Sequence, residues 1–406
     1  MRSPGQPHGA MTALIVLTGA AVAGGGAQVA AASPFATRVL HYAPAPGSLV
    51  NNPAFNNPTR ALGAPVGGGA AAPNNGKLVT LGGFGGSITL GFDQPITNHP
   101  ASPGNPLGLD LIVFGNAFFA GGDPAARFAE PGAIEVAADA NANGLADDPW
   151  YLIRPPGAAT WPAGEVPQAS LFTQTWDDNA ADPAFPPTVA SWIPAGRTGQ
   201  WTTYTYRLTD PALLGPVISA IDPSGERTWG LADCTPTMVL GDTDGDGEAD
   251  DLNATPETFY TQPDDPTTVG ITPGSGGGDA IALEWAVHPA TGAPVNLATA
   301  DFVRISTAVA RVSPFLGEAS TEIGGLALVR VPVARPLADI TGIGGPPSLP
   351  DGLLTGDDFI AFVSAFADAA PLADVCGIGG PPAQPDGLIT GDDFVAFIAS
   401  FAGGGG

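Results

Sequence analysis

Two short stretches of the chain place oxygen-bearing side chains at the spacing of calcium-binding loops. In both, carboxylate or amide side chains occupy loop positions one, three, five, nine and ten, and Gly occupies position six. The first acidic loop (residues 139–148) supplies Asp139, Asn141, Asn143, Asp147 and Asp148. The second acidic loop (residues 242–251) supplies Asp242, Asp244, Asp246, Asp250 and Asp251. Alternate residues of a tight loop point toward one centre, and hard oxygen ligands favour Ca²⁺ over transition metals.

Neither acidic loop ends as an EF-hand does, because position twelve holds no acidic residue. We expect Asp148 and Asp251 to supply the missing oxygens. Asn at positions three and five lowers the charge of the first acidic loop, and we expect it to bind calcium more weakly. The alternative interpretation of both stretches is an acidic, solvated turn.

The C-terminal part of the chain contains a tandem repeat. Residues 339–366 read DITGIGGPPSLPDGLLTGDDFIAFVSAF, and residues 374–401 repeat them at an offset of 35 (374 − 339). In each copy a Thr can cap a helix with an Asp three residues later, Thr355 with Asp358 and Thr390 with Asp393. The helical stripes are Phe359, Phe362, Val363, Phe366 and, in the second copy, Phe394, Phe397, Ile398, Phe401. The stripes predict two helices packed as a pseudo-two-fold pair; the alternative leaves one Phe face open for a partner.

On the runs DGLLTGDDFIAF and DGLITGDDFVAF, the repeats resemble dockerin modules of the form found on exported planctomycete-type proteins. The resemblance implies a calcium loop plus one helix per copy, and a cohesin-like protein partner. It implies calcium ligands at Asp339, Asp351 and Asp358, with Asp374, Asp386 and Asp393 in the second copy. The insertions IGGPPSLP and IGGPPAQP depart from the family pattern, and Thr341 and Cys376 at position three are poor calcium ligands.

The larger part of the chain has the composition of a loop-rich β-protein. Over the whole chain there are 57 Gly and 44 Pro; in this part they separate many short apolar runs, and no useful helical period precedes residue 350. The strand candidates are residues 77–84, 87–92, 109–116, 133–138, 150–154, 202–208, 237–240, 280–287, 301–308 and 326–331. We therefore predict an all-β, antiparallel β-sandwich of jelly-roll type, followed by a small α-helical dockerin-like module.

Four segments are expected along the chain. Residues 1–32 resemble a signal peptide, with Arg2, an apolar stretch and a small-residue cleavage site. Residues 33–335 form the β-sandwich body, residues 336–402 the dockerin-like repeats and residues 403–406 a Gly tail. We therefore expect a secreted or cell-surface protein with no membrane span. Cys234 and Cys376 are expected to be free or partly buried thiols, a bridge between them being the alternative.

The net charge is −26, from 39 acidic and 13 basic residues, which argues against a nucleic-acid partner. Aromatic residues are concentrated between residues 150 and 229. The candidate ligand-binding residues among them are Trp150, Tyr151, Trp176, Trp192 and Trp201. Exposed flat rings on a β-sandwich can stack on sugars, so a neutral polysaccharide is the expected ligand. The alternative is that most of these rings fill a loop-rich core.

The body resembles uncharacterised, lectin-like surface proteins of bacteria on four stretches: LVTLGGFGGSITLGFDQPI, LDLIVFGNAFF, EPGAIEVAADANANGLADDPWY and VRISTAV…STEIGG. That resemblance implies a calcium-containing sandwich on the cell surface. We expect no enzymatic activity, since the chain contains no HExxH, CxxC or G-x-S-x-G motif. Our first hypothesis is a secreted calcium-binding protein that binds a polysaccharide or another surface component. The alternatives are a purely structural surface or matrix protein, and an extracellular glycan hydrolase using Asp110 and Glu284.

Overall fold

A computed structural model describes thirteen stretches of the chain: residues 32–45, 50, 52–102, 105–156, 170–177, 198–208, 213, 217–219, 229–313, 317–330, 337–341, 354–377 and 387–403. Four features predicted from the sequence lie outside them, namely Asp351, Asp386, Trp192 and the junction at residues 335–336. The predicted signal peptide also lies outside, apart from residue 32.

The described residues are mostly β-structure with few helices. The strands are β1 Arg38–Ala43, β2 Val79–Thr80, β3 Ser87–Thr97, β4 Leu111–Phe114, β5 Phe118–Phe119, β6 Ala126–Phe128, β7 Gly132–Ala137, β8 Tyr151–Ile153, β9 Ser170–Asp177, β10 Thr198–Thr205, β11 Val217–Ser219, β12 Asp279–Ile281, β13 Ala286–Val287, β14 Thr299–Thr307, β15 Val312–Ser313, β16 Gly317–Glu318, β17 Glu322–Ile323 and β18 Gly325–Leu328. The helices are α1 Pro256–Phe259, α2 Gly356–Ala367 and α3 Gly391–Gly403.

Every strand pair in the described ranges is antiparallel. The largest sheet has six strands in the order β1-β3-β14-β7-β8-β13, and two three-stranded sheets have the orders β12-β4-β18 and β11-β6-β5. Pairs β10-β9, β15-β16 and β17-β2 complete the set. The prediction of a β-rich body built from antiparallel, sandwich-like sheets is confirmed at this level.

The main hydrophobic core joins the six-stranded sheet to the sheet centred on β4. It contains Ile88 and Leu90 of β3, Val303 of β14, and Ile112 and Val113 of β4. All four residues of β4 are buried, as expected for an apolar central strand between β12 and β18. On β3, Thr89 on the opposite face from Ile88 and Leu90 is buried as well.

Two predicted strands are wrong in detail. Residues 280–287 do not form one continuous strand. β12 ends at Ile281, a 3-10 turn covers Leu283–Trp285, and β13 follows. At the break the Leu283 N–H donates to Asp110 Oδ2 at 2.7 Å, a residue distant in sequence, instead of to a neighbouring strand. Residues 237–240 likewise form only an isolated bridge, between Thr237 and Gly277.

The two C-terminal repeats form α2 and α3, as the sequence predicts. Thr355 caps α2 in a capping box with Asp358, whose Oδ2 accepts the Thr355 N–H at 2.9 Å. The ring distances between the two helices obey a two-fold relation. Phe359–Phe397 and its counterpart Phe394–Phe362 measure 6.4 and 6.1 Å, and Phe359–Phe401 and Phe394–Phe366 measure 5.6 and 5.4 Å. The predicted pseudo-two-fold packing of the stripes is therefore present.

The packing leaves part of both helices uncovered. Ile360 and Val395 occupy equivalent positions and are 65% and 67% exposed. Phe359 and Phe394 are also equivalent and are 40% and 41% exposed. None of the helices in the described ranges has the length and apolar character needed to cross a membrane. Cys234 and Cys376 are both free and buried, which agrees with the expectation of unpaired thiols.

Candidate metal centres

The second acidic loop brings three carboxylates to one point. Asp242, Asp244 and Asp246 each offer a carboxylate oxygen, and the three oxygens lie within 4.8 Å of one another. Two oxygens that share one calcium ion at 2.3–2.6 Å can be at most about 5 Å apart. Asp242 is buried at the base of the loop, while Asp244 and Asp246 are exposed. This arrangement can hold a hard cation between the base and the rim of the loop.

Backbone donors shape the second acidic loop around Asp242. Its Oδ1 accepts the Gly245 N–H at 2.7 Å, and its Oδ2 accepts the Gly247 N–H at 3.0 Å. Gly247, at position six, has a φ of 95°, which an L-residue with a side chain rarely adopts. The glycine predicted for the sharp turn is therefore required by the backbone conformation.

Asp250, at position nine, closes the second acidic loop. Its Oδ2 accepts the Thr243 N–H at 3.0 Å and the Thr243 hydroxyl at 2.9 Å. Those hydrogen bonds lower the pKa of Asp250 from its ordinary value. Asp251 contributes through its backbone, because both the Asp250 and the Asp251 N–H donate to Gly241 O at 2.9 Å. In these contacts Asp250 closes the loop with its carboxylate, whereas Asp251 closes it with its backbone N–H.

The first acidic loop connects β7 to β8 and has nearly the same hydrogen-bond pattern. Asp139 accepts the Asn143 N–H at 2.9 Å and the Gly144 N–H at 2.7 Å, as Asp242 accepts two N–H groups in the second loop. Position four is left-handed in both loops, with Ala142 at φ 54° and Gly245 at φ 89°. The two loops are therefore one structural motif used twice.

The side chains of the first acidic loop already contact one another. Asn143 Nδ2 donates to Asp147 Oδ2 at 3.2 Å, and Asn141 Nδ2 donates to Asp147 Oδ1 at 3.4 Å. Asp148 Oδ2 accepts the Ala140 N–H at 3.1 Å. Amide groups at positions three and five can thus satisfy a carboxylate without a cation, which carboxylates at those positions cannot do. This difference supports the expectation that the first loop has the weaker affinity.

In the C-terminal repeats, Asp358 and Asp393, two of the implied calcium ligands, serve as structural acceptors. Asp358 Oδ1 accepts the Ile340 and Thr341 N–H groups at 2.9 and 3.0 Å, and Asp393 Oδ1 accepts those of Val375 and Cys376 at the same distances. Their other oxygens accept from Thr355 and Thr390. Burial opposes ionisation of Asp358 and Asp393, but these hydrogen bonds outweigh it and lower the pKa of both carboxyls.

The front of each repeat is close to these acceptors. Asp339 is fully buried, and Asp374 Oδ2 accepts the Gly387 N–H at 2.6 Å. The remaining predicted ligands, Asp351 and Asp386, are outside the described residues. A calcium ion in these repeats would share Asp358 or Asp393 with four protein donors, so calcium binding here stays a prediction.

The described aromatic side chains near the first acidic loop, Trp150 and Tyr151, pack against other side chains of the protein. The Arg304 guanidinium lies 4.3 Å from the centre of the half-buried Trp150 ring. Tyr151 is half-buried and meets His288 edge to face at 6.4 Å. Trp176 pairs with Gly199 and Trp201 with Gln174 across β9 and β10, and their side chains are outside the description. These contacts favour a packing role for Trp150 and Tyr151 over a fully open stacking platform.

Asp110 and Glu284, the acid pair considered for hydrolysis, have different surroundings. Asp110 is buried and accepts the His99 N–H at 2.7 Å, the His99 Nδ1 at 3.0 Å and the Leu283 N–H at 2.7 Å. Burial raises its pKa, and the hydrogen bonds act in the opposite direction. Glu284 is exposed on the 3-10 turn. Asp110 therefore links the segment that follows β3 to the turn that follows β12.

A third acidic group was not predicted from the sequence. Glu130, Asp233 and Glu322 are all buried, and an oxygen of each lies within 4.8 Å of the other two. Burial raises the pKa of all three carboxyls. We call these residues the buried acid cluster. Glu130 and Glu322 belong to two of the stretches that resemble bacterial surface proteins, but no local spacing links them to Asp233.

Comparison with known proteins gives no relative from which a function could be transferred: no family model matches the chain, and no curated protein matches it.

Proposed function

We propose that this chain is an exported calcium-binding surface protein, in which bound calcium stabilises a sandwich-like body of jelly-roll type and the dockerin-like repeats tether it. The observation that supports this most is the convergence of Asp242, Asp244 and Asp246 within 4.8 Å. Three carboxylates at that spacing repel one another, and a divalent cation removes the repulsion. Extracellular calcium loops bind at about 10⁻⁴ to 10⁻³ M, so millimolar calcium fills them.

Calcium dependence of unfolding tests the proposal. The full chain is melted in calcium, in magnesium and in excess chelator, with the transition followed by circular dichroism. Calcium at about ten times the Kd should stabilise the folded state by about 1.4 kcal/mol per site, and magnesium by less. Superimposable melting curves in calcium and in chelator would reject a stabilising role for calcium.

Polysaccharide binding is a second candidate, which rests on Trp150. This residue follows Asp147 and Asp148 of the first acidic loop within three positions, and its ring remains partly accessible. A metal that orders the loop would also fix the ring, and a rigid ring binds at lower entropic cost. We therefore expect weak, calcium-dependent binding of neutral polysaccharides, with polyanions disfavoured by the net charge of −26.

Trp fluorescence titrations with neutral and acidic polysaccharides, each with and without chelator, test the second candidate. Trp150→Ala should abolish binding, whereas Leu145→Ala, which removes a 57% exposed apolar side chain from the same loop, should not. Lack of binding to any polysaccharide would leave the purely structural surface protein as the better proposal. The described contacts of Asp110 and Glu284 offer no support for a glycan hydrolase.

A further inference from the structure

The buried acid cluster joins three parts of the body that are distant in sequence. Glu130 follows β6, Glu322 lies on β17, and Asp233 lies in the bend that precedes the second acidic loop. Their side chains are 6%, 1% and 0% exposed. Ionised carboxylates in an interior are very costly unless a proton or a cation neutralises them. The cluster therefore requires a physical explanation.

Asp233 is held rigidly with its carboxylate directed into the cluster. Its Oδ1 accepts the Asn116 and Ala117 N–H groups at 2.8 and 3.0 Å, and its Oδ2 accepts the Glu322 N–H at 3.0 Å. Its backbone is left-handed, at φ 59°. Gly115 makes room for it, since a Cβ there would be 2.2 Å from Asp233 Oδ1. Such positioning costs conformational energy, and it fixes one carboxylate where two others meet.

The two glutamates each use one oxygen to bind the protein. Glu130 Oε1 accepts the Ser320 N–H at 3.0 Å, and Glu322 Oε1 accepts the Thr80 hydroxyl at 3.1 Å. Glu322 Oε2 is enclosed, and no donor in the described part of the chain reaches it. The Glu322 carboxyl also forms side-chain hydrogen bonds with the Ser320 hydroxyl and with Glu130, and the bond to Glu130 requires a proton on one of the two carboxyls. Among the described residues, Glu322 Oε2 is therefore an enclosed acceptor without a donor.

With its carboxylates ionised, the cluster has an excess of two negative charges, which one divalent cation would neutralise. Arg311 is the positive charge that acts on Glu130. The buried Asp279 is not counted with the cluster, because its negative charge is balanced by the positive charge of Arg127. Three carboxylates and Arg311 sum to −2 if all are ionised, and a dication brings the sum to zero. The available ligands are carboxylate oxygens with hydroxyls of Thr80 and Ser320 beside them. Cys234, the neighbour of Asp233, directs its thiol to Ala232 O instead.

We propose that Glu130, Asp233 and Glu322 bind a hard divalent cation, with calcium as the ion expected, at an enclosed site separate from the two acidic loops. Their oxygen spacing of at most 4.8 Å fits ligands that share one ion. The ion would supply the missing partner of Glu322 Oε2. Because the site is enclosed, the ion leaves only when the segments around it open, whereas ions in the exposed loops exchange freely. The competing explanation is a proton shared between Glu130 and Glu322.

The proposal is tested by counting ions that resist chelation. The full chain is loaded with calcium and dialysed against a chelator under native conditions, and metal content is measured by mass spectrometry. We expect about one chelator-resistant ion per chain. Glu322→Gln, which has nearly the same shape, should lose this ion. The control Asp244→Asn/Asp246→Asn, which disables the second acidic loop, should retain it.

Three outcomes would overturn the site. They are a wild-type chain without a chelator-resistant ion, an ion retained in both Glu322→Gln and Glu130→Gln, and an ion released before the body unfolds. A shared proton predicts the first outcome, together with an unchanged or higher Tm for Glu322→Gln. If neither Gln variant folds, urea titration of the wild-type chain in chelator decides, because ion release must coincide with loss of the near-ultraviolet circular dichroism signal.

Discussion

The rings of Phe362 and Phe397 stack face to face, with centroids 3.9 Å apart and planes inclined by 6°. The two residues occupy the same position in the two repeats and are both fully buried. Around them lie small, buried residues such as Ala361 and Ala396. The pseudo-two-fold relation thus passes through the centre of the helical core, and each ring completes the packing of the other.

Truncation of one of these rings should unfold the helical pair. Phe397→Ala removes a fully buried aromatic side chain, which costs about 3–5 kcal/mol. The helices are short and depend on this packing, so hydrogen exchange should show loss of protection in both α2 and α3. Val395→Ala is the control, because that side chain is 67% exposed. Retained protection in α2 after Phe397→Ala would show that the repeats are stable independently of each other.

The charge at loop position three should control calcium binding to the second acidic loop. Asp244→Asn removes one of three converging carboxylates and should weaken calcium affinity roughly ten-fold, or about 1.4 kcal/mol, because the ion loses one of its charged ligands. Glu248→Gln makes the same change in net charge, on an exposed residue of the same loop that is outside the three-carboxylate group. Isothermal titration with calcium compares the two. Equal losses of affinity would mean that the loop responds only to overall charge.

Stability of the body should fall as pH rises from about 4 to about 7. Burial raises the pKa of Asp279 from 3.8 to about 7 and that of Asp264 from 3.8 to about 6, although hydrogen bonds from Cys234 and Thr272 oppose the effect. In that window the folded state binds more protons than the unfolded state, so the free energy of unfolding decreases with rising pH. The stabilising contribution is complete below pH 4 and is lost as pH passes the folded pKa values.

Asp279→Asn should flatten this pH dependence, because a neutral side chain at that position no longer titrates. The amide oxygen can still accept the Cys234 N–H, which now donates to Asp279 Oδ2 at 2.9 Å. The free energy of unfolding is measured by urea titration at several pH values between 4.5 and 7.5. In the wild-type protein we expect it to decrease over this range by an amount on the order of a few kcal/mol. Glu284→Gln, at an exposed acid, should keep the wild-type slope. A steep slope in Asp279→Asn would assign the effect to other buried acids.

The ion pair between Glu135 of β7 and Arg304 of β14 should require arginine rather than lysine. Arg304 Nε and Nη2 donate to the two Glu135 oxygens at 2.7 Å each, and the guanidinium also lies over Trp150. Lys cannot form both hydrogen bonds, so Arg304→Lys should cost about 1–2 kcal/mol and shift Trp fluorescence. Arg38→Lys is the comparison, because Arg38 donates to the single acceptor Phe92 O and should lose less. Equal losses of stability in the two variants would show that the bidentate geometry of the Arg304–Glu135 pair has no special role.

Features built from neighbouring residues were predictable from the sequence. The acidic loops take all their predicted calcium ligands from ten consecutive positions, and the caps of α2 and α3 use Thr and Asp three residues apart. The buried strand β4 follows from an uninterrupted apolar run. In each case the pattern needs no information about distant parts of the chain.

Features that depend on distant contacts were not predictable. The strand expected at residues 280–287 is broken because the carboxylate of Asp110, 173 residues from Leu283, takes a backbone N–H. The buried acid cluster has the same origin, since nothing near Glu322 in sequence indicates that its side chain will meet Glu130 and Asp233. Charged residues are normally expected at the surface, so an interior position for three of them contradicts the usual pattern.

The difference in sequence separation also bears on the order of folding. The first acidic loop closes over ten residues between neighbouring strands, which is fast and costs little chain entropy. The buried acid cluster requires contacts across 89 residues, from Glu322 to Asp233, and across 190 residues, from Ser320 to Glu130. Such distant contacts cost more chain entropy to form, as does the pairing of β3 with β14 in the main sheet. The local loops can therefore close without the rest of the body, whereas the Glu130–Asp233–Glu322 interior needs the distant segments to be in place.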